Sequence, residues 1–227
     1  MENKGKVFVV STPIGNLEDI TLRALRILKE VDFIISENPK KTLRLLNHYE
    51  IRKPVFPFFQ RTSEKKIMAY LERVKKGEKC ALVVEAGTPG ISDPGEEVIK
   101  MAINTGIDIT PVPGPSALTS ALSVSGAPTG KGFVFLGFPP HKKKRKEFFE
   151  NLKNYDKTIV LYESPYRLKR TLKEIAEVDE NFMVAVMKEM TKIYEKFYRG
   201  RAGEIAKIFD EMEEIKGEWT IVLWKEK

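Results

Sequence analysis

Three segments of this chain combine glycine, proline and small hydroxyl residues in a way that suits ligand binding. Each directly follows or overlaps an apolar run. The first is Ser11-Thr12-Pro13-Ile14-Gly15-Asn16-Leu17-Glu18-Asp19-Ile20-Thr21. The second is Glu85-Ala86-Gly87-Thr88-Pro89-Gly90-Ile91-Ser92-Asp93-Pro94-Gly95. The third is Pro111-Val112-Pro113-Gly114-Pro115-Ser116-Ala117-Leu118-Thr119-Ser120-Ala121-Leu122. Glycine lets a backbone approach a ligand closely. A helix that begins near Pro115-Ser116 offers free N–H groups to a carboxylate or hydroxyl. The first segment has neither the lysine of a triphosphate-binding P-loop nor the glycine spacing of a dinucleotide fold. Taken singly, each segment also has a plain structural reading. Asp19 or Thr21 can cap a following helix, Asp93 can cap the next, and the third segment can be a close-packed small-residue helix.

Alternating strand and helix signals must position these loops. Val7–Val10, Phe33–Ile35, Ala81–Val84 and Ile107–Val112 read as strands. Val55–Phe58 is short and carries a proline, which predicts an edge strand. Helices are expected over 21–28, 41–49, 63–76, 94–104 and 116–124. The alternation predicts a mostly parallel sheet with helices on both faces, with 81–84 as a central strand. Ligands of such sheets sit outside the carboxyl ends of the strands, where the three loops fall. The glycine-rich stretch 125–132 reads as a linker between an N-terminal domain, 1–124, and a C-terminal domain, 133–227. In the latter, strands are expected near 133–138, 158–162, 182–187, 194–199 and 219–224. Helices are expected near 146–153, 165–177 and 202–213, which makes a mixed α/β domain.

The 227 residues suffice for a buried core, and the formal net charge of +7 admits an anionic partner without requiring one. The single cysteine, Cys80, excludes a disulfide framework and lies in an apolar run, which predicts a small buried residue. No apolar run approaches the roughly 20 residues that span a bilayer, and no signal peptide is visible, so a soluble cytoplasmic protein without a membrane partner is expected. His48 reads as structural. His141-Lys142-Lys143-Lys144-Arg145-Lys146 is the strongest local positive feature, either a solvated helix start or a phosphate contact.

Together the three loops resemble the tetrapyrrole-methylase superfamily of S-adenosylmethionine-dependent methyltransferases. Within it the chain is similar to the small-subunit (16S) ribosomal RNA cytidine-2′-O-methyltransferase family. The matching stretches are Thr12–Thr21, Ala86–Gly95 and Val112–Ser116. Further matches are Gly137-Phe138-Pro139-Pro140, Tyr162-Glu163-Ser164-Pro165-Tyr166-Arg167-Leu168, Lys188-Glu189-Met190-Thr191-Lys192 and Tyr198-Arg199-Gly200. They cover nearly the whole chain, in order. The resemblance implies a cleft between the two domains that holds S-adenosylmethionine. Its lining would include Pro13, Gly15, Ala86, Gly87, Thr88, Pro89, Ser116, Ala117 and main chain near Met187. It also implies a homodimer, no metal, and 16S rRNA of the small ribosomal subunit as the substrate. The chain departs from the family pattern at Glu37-Asn38-Pro39-Lys40, at Glu85 and at Phe58-Phe59-Gln60-Arg61-Thr62.

A ribose 2′-hydroxyl is a very weak acid, so transfer to it calls for a base or a local positive field. Glu37, Glu85 and Glu189 are the candidate bases, with Glu163 a further possibility. Lys40, Arg167 and Lys188 can stabilise a developing alkoxide or hold phosphates. Lys142, Lys143, Lys144 and Arg145 are the other candidate RNA contacts, and Phe58, Phe59 and Tyr166 can stack on bases. Two alternatives stand beside rRNA methylation: methylation of a small molecule of the tetrapyrrole or diphthine type, and an RNA-binding relative without catalysis.

Overall fold

The computed structural model describes residues 5–226. The chain divides into two compact units, Met1–Ser116 and Ala117–Lys227. The first unit contains strands β1 (Lys6–Val10), β2 (Phe33–Ser36), β3 (Val55–Pro57), β4 (Lys79–Val83) and β5 (Asp108–Val112). They form one sheet in the order β3-β2-β4-β1-β5, and every pairing in it is parallel. β3, with its proline, is an edge strand, and β4 is the middle one. Helices α1 (Leu22–Glu30), α2 (Pro39–His48), α3 (Glu64–Lys75) and α4 (Gly95–Asn104) connect them.

Side chains alternate across a strand, so each face of this sheet needs its own cover. Val7, Val9, Phe33, Ile35, Cys80 and Leu82 pack with Ile67, Leu71 and Val74 of α3 and Val98 and Ala102 of α4. On the other face, Val10, Ile34, Ala81 and Val83 pack with Ala24, Ile27 and Leu28 of α1 and Leu45 and Leu46 of α2. The doubly covered parallel sheet read from the alternation is therefore present. Helix starts follow local chemistry: Thr21 Oγ1 accepts from the Ala24 amide, and Asn38 Oδ1 accepts from the Lys41 amide. Pro39 takes the first position of α2, which sets the helix start two residues before the predicted one.

Cys80 is fully buried, and that burial pushes its thiol far above the usual range. A maleimide should therefore label it only when the protein unfolds. Rapid labelling under native conditions at neutral pH would contradict this packing.

The second unit carries a mixed sheet in the order β6-β7-β10-β8-β9. Its strands are β6 (Phe133–Gly137), β7 (Thr158–Glu163), β8 (Met183–Lys188), β9 (Lys196–Arg201) and β10 (Trp219–Trp224). β6 and β7 run parallel, whereas β10 is antiparallel to β7 and β8, and β8 is antiparallel to β9. One face packs under α6 (Arg145–Glu150), α7 (Leu168–Val178) and α8 (Ala202–Asp210), around Phe149, Leu172, Phe182, Phe209, Ile221 and Leu223. Helix α5 (Ala117–Ser125), which the linker reading places in the first half, groups with this unit because it packs along β10. Among the described residues no helix is long and apolar enough to cross a membrane.

Candidate functional site

In a parallel sheet, a crevice opens wherever neighbouring strands send their following loops to opposite faces. β1 and β2 lead to α1 and α2 on one face, and β4 leads to α4 on the other. β4 lies between β2 and β1, so its carboxyl end has a crevice on each side.

At the β1–β4 crevice the three loops singled out in the sequence are tied together. The Thr12 amide donates to the Gly87 carbonyl at 2.9 Å, and the Gly87 amide donates back to the Thr12 carbonyl at 3.0 Å. The Ser11 amide donates to Val112 O at 3.2 Å. Thr88 Oγ1 donates to Pro115 O at 3.1 Å and lies 2.8 Å from Ser11 Oγ. Because the one threonine hydroxyl proton is committed to Pro115, Ser11 is the donor in the latter pair. Gly87 is buried and has φ of +81°, a region L side chains rarely adopt. Around this junction Gly15 and Ala86 are exposed, Pro13, Thr88 and Ser116 are half-buried, and Pro89 is buried. Asp93 closes the second loop by accepting from the amides of Gly90 and Gly95. A Cβ added at Gly95 would lie 2.7 Å from its carboxylate.

The β2–β4 crevice holds the carboxylates. The Glu85 amide donates to Glu37 Oε2 at 3.2 Å. Asn38 Nδ2 donates to Glu85 Oε2 at 3.0 Å, and Lys41 is ion-paired with the same carboxylate. Lys41 first, then Asn38, hold the Glu85 carboxyl below its ordinary range. Glu37 goes the other way. Burial raises its pKa, helped by the negative charges of Asp93 and Glu85, against the opposing pull of the Glu85 amide and Lys41. It opens onto a pocket of about 530 Å³ lined also by Gln60, Ser92, Asp93, Pro94, Glu96, Glu97 and Lys100. Of the two, Glu37 is thus the more basic carboxylate and lines this pocket, whereas Glu85 is engaged in joining the β2 and β4 loops. Lys40 is exposed, and it is its neighbour Lys41 that reaches this cluster.

In the second unit several predicted site residues prove to be structural. Arg145 is 2% exposed. Its guanidinium donates to Glu174, to Thr171 Oγ1 at 2.8 Å and to Pro140 O at 2.8 Å, so it is buried in an internal network and is not presented to a phosphate in solvent. Arg167 pairs with buried Glu163 at 2.8 Å and donates to Pro139 O at 2.7 Å. Glu163 in turn accepts from Thr171 Oγ1 and the Ser164 amide, which rules it out as an accessible base. Glu189 accepts from the Glu218 amide at 2.7 Å and from Lys192 at 2.9 Å. Burial pushes its carboxyl up, but the Glu218 amide and Lys192 outweigh that and leave it lowered. It anchors the turn that follows β8. Lys188 lies over the Trp219 ring at 5.7 Å, and Met187 is buried in β8 between β10 and β9. Phe58 is core, whereas Phe59 is exposed, as are Lys142, Lys143 and Lys144. Ala117 is half-buried at the start of α5. No group of three or more His, Cys, Asp or Glu able to hold a metal occurs among the described residues.

Sequence reasoning gave no role to Lys41, Thr171 and Glu174, and it noted Asn38 and Gln60 only as departures from the family pattern. Of these, Asn38 carried a local signal, an asparagine directly before a proline and a helical run.

Known proteins resemble this chain. Residues 6–206 match the family model described as Tetrapyrrole (Corrin/Porphyrin) Methylases. The ribosomal RNA small subunit methyltransferase I of Thermotoga maritima is 46% identical over 219 residues, which cover 96% of this chain and 98% of that one. The protein of the same name from Halalkalibacterium halodurans is 41% identical, over 98% of this chain and 76% of its own. Among solved structures, uroporphyrin-III C-methyltransferase from Thermus thermophilus complexed with S-adenyl homocysteine superimposes with a TM-score of 0.65 at 18% identity. That match covers 96% of this chain and 97% of the other. A match that runs through both units, joined to full-length likeness of this degree, shows that the chain belongs to the tetrapyrrole (corrin/porphyrin) methylase family.

Proposed function

We propose that this chain is an S-adenosylmethionine-dependent methyltransferase that modifies the 2′-oxygen of a cytidine ribose in 16S rRNA of the small ribosomal subunit. It would act in the cytoplasm as a homodimer. The observation that carries the reading is the junction at β1 and β4. There Thr12 and Gly87 exchange two backbone hydrogen bonds while Ser11, Thr88 and Pro115 bind the third loop to them. The names of the relatives, whose lengths this chain spans at 98% and 76%, support rRNA as the substrate class.

The donor, when bound, supplies a methyl group on a positively charged sulfur. Pro13, Gly15, Ala86, Gly87, Thr88, Pro89 and Ser116 would hold it. The junction is braced by its own hydrogen bonds, so little ordering is needed on binding. Glu37 would take the proton of the acceptor hydroxyl as the oxygen attacks. The loops after β1 and β2 lie two strand spacings apart, about 10 Å, a span that a nucleoside bridges. Lys40 and the three lysines 142–144 would serve the phosphates.

Glu37→Gln should lower methyl transfer by roughly a hundredfold or more while S-adenosylmethionine affinity is kept. The rate of the parent should climb with pH through the Glu37 pKa, above the ordinary carboxylate range, because a base works only when deprotonated. The variant should lose that limb. The readout is tritiated methyl incorporation into small subunits that lack the modification. Unchanged incorporation by the variant removes Glu37 as the base. No incorporation by the parent, with donor binding intact, removes the rRNA reading and leaves small-molecule methylation to be assayed.

A further inference from the structure

In the second unit the carboxyl ends of β6, β7 and β8 lie along one edge of the sheet, because β10 runs antiparallel to both β7 and β8. Large apolar side chains project from the loops there. Tyr166 is 96% exposed, Phe138 51%, Ile193 95% and Tyr194 75%. A scattered exposed aromatic is ordinary, but a row of them at one sheet end marks a contact surface.

Charge separates the row into two parts. The loop with Ile193 and Tyr194 carries Glu189 and Glu195 and is bonded to Glu218, against Lys188, Lys192 and Lys196, so it has no net charge. Phe138, by contrast, shares its loop with Lys142, Lys143 and Lys144. All three are exposed, and none has an ion pair among the described residues. Two arginines hold this loop in place. Arg167 donates to Pro139 O at 2.7 Å, and Arg145 donates to Pro140 O at 2.8 Å. The Phe138 ring rests edge-on against Tyr162 with centroids 5.7 Å apart. Tyr166 stands on the loop of the neighbouring strand, joined to the Phe138 loop by the Arg167 bond. Both rings are thus presented to solvent by braced loops about one strand spacing, roughly 5 Å, apart.

We infer that Phe138 and Tyr166 are a stacking platform for unpaired bases of a single-stranded RNA segment whose phosphates lie along Lys142, Lys143 and Lys144. The inference rests on the RNA-substrate reading above. Aromatic faces stack on any exposed base, whereas a duplex keeps its bases covered and offers phosphates only. A second copy of this chain fits less well, because its approach would bring two unpaired lysine runs together.

The test measures binding of a labelled unpaired RNA oligonucleotide to the full chain across a salt series. Phe138→Ala with Tyr166→Ala should weaken binding about tenfold or more and leave the slope of log K against log salt unchanged. Replacing Lys142, Lys143 and Lys144 by alanine should instead flatten that slope by about 2. Tyr166→Phe should bind like the parent, as should Tyr194→Ala, and the double variant should bind a blunt RNA duplex as the parent does. If the parent binds no RNA, the substrate reading fails. If the parent binds and the double variant matches it, the platform alone fails. Should the double variant turn a dimer into monomers in sedimentation with RNA affinity intact, the surface joins copies and the inference is overturned.

Discussion

Replacing Gly87 by arginine is expected to reduce the heat of S-adenosylmethionine binding to baseline in calorimetry, with the far-ultraviolet spectrum unchanged. Two effects act together at this position. The residue sits at φ of +81°, where a side chain is strained by about 1–3 kcal/mol. Its missing Cβ also leaves room beside Ile14 Cγ2, 3.5 Å away, at the place where the first two loops meet. An arginine there would fill the ground proposed for the donor and bring a cation towards a sulfonium. Gly87→Ala introduces the strain without the bulk and should weaken binding only modestly. Equal, small losses for both would show that the donor lies elsewhere.

The second large effect concerns stability. Arg145→Met is expected to cost about 3 kcal/mol in a urea titration. The methionine keeps much of the volume but leaves Glu174 without its buried partner, removes the donor to Thr171 Oγ1 and strands the Pro140 carbonyl. Glu174 retains Arg170 at 3.0 Å, which places the cost at the lower end for a broken buried pair. Lys143→Met, two residues away on the exposed surface, should change stability by less than about 0.5 kcal/mol. A loss below 1 kcal/mol at Arg145 would mean that its network is dispensable.

This contrast shows what was legible in the sequence and what was not. Arg145 stands in a run of like charges and looks no different from Lys144. Its burial is decided by Glu174 and Thr171, on a helix more than twenty residues further on, and no local pattern encodes that meeting. The elements themselves were legible because apolar runs and caps are local: β4 read as a central strand and lies mid-sheet, and β3 read as an edge and is one. The three glycine- and proline-rich loops were legible as composition, and the sheet order then explains why they meet, since β1 neighbours both β4 and β5. That helix α5 groups with the second unit was not legible, because its small residues carry no address and its partner β10 is made about a hundred residues later. The phase of α2 decided between adjacent lysines: both are exposed, and it is Lys41 that pairs with Glu85.

The central place of β10 bears on how the protein is born. Trp219–Trp224, made after both β7 and β8, is the strand on which the two depend for a neighbour. Until it arrives, each of those strands has an open edge, inviting pairing with other nascent chains. Maturation of this half therefore waits for β10, and a message truncated before Trp219 would yield a product prone to clump rather than a merely shortened enzyme.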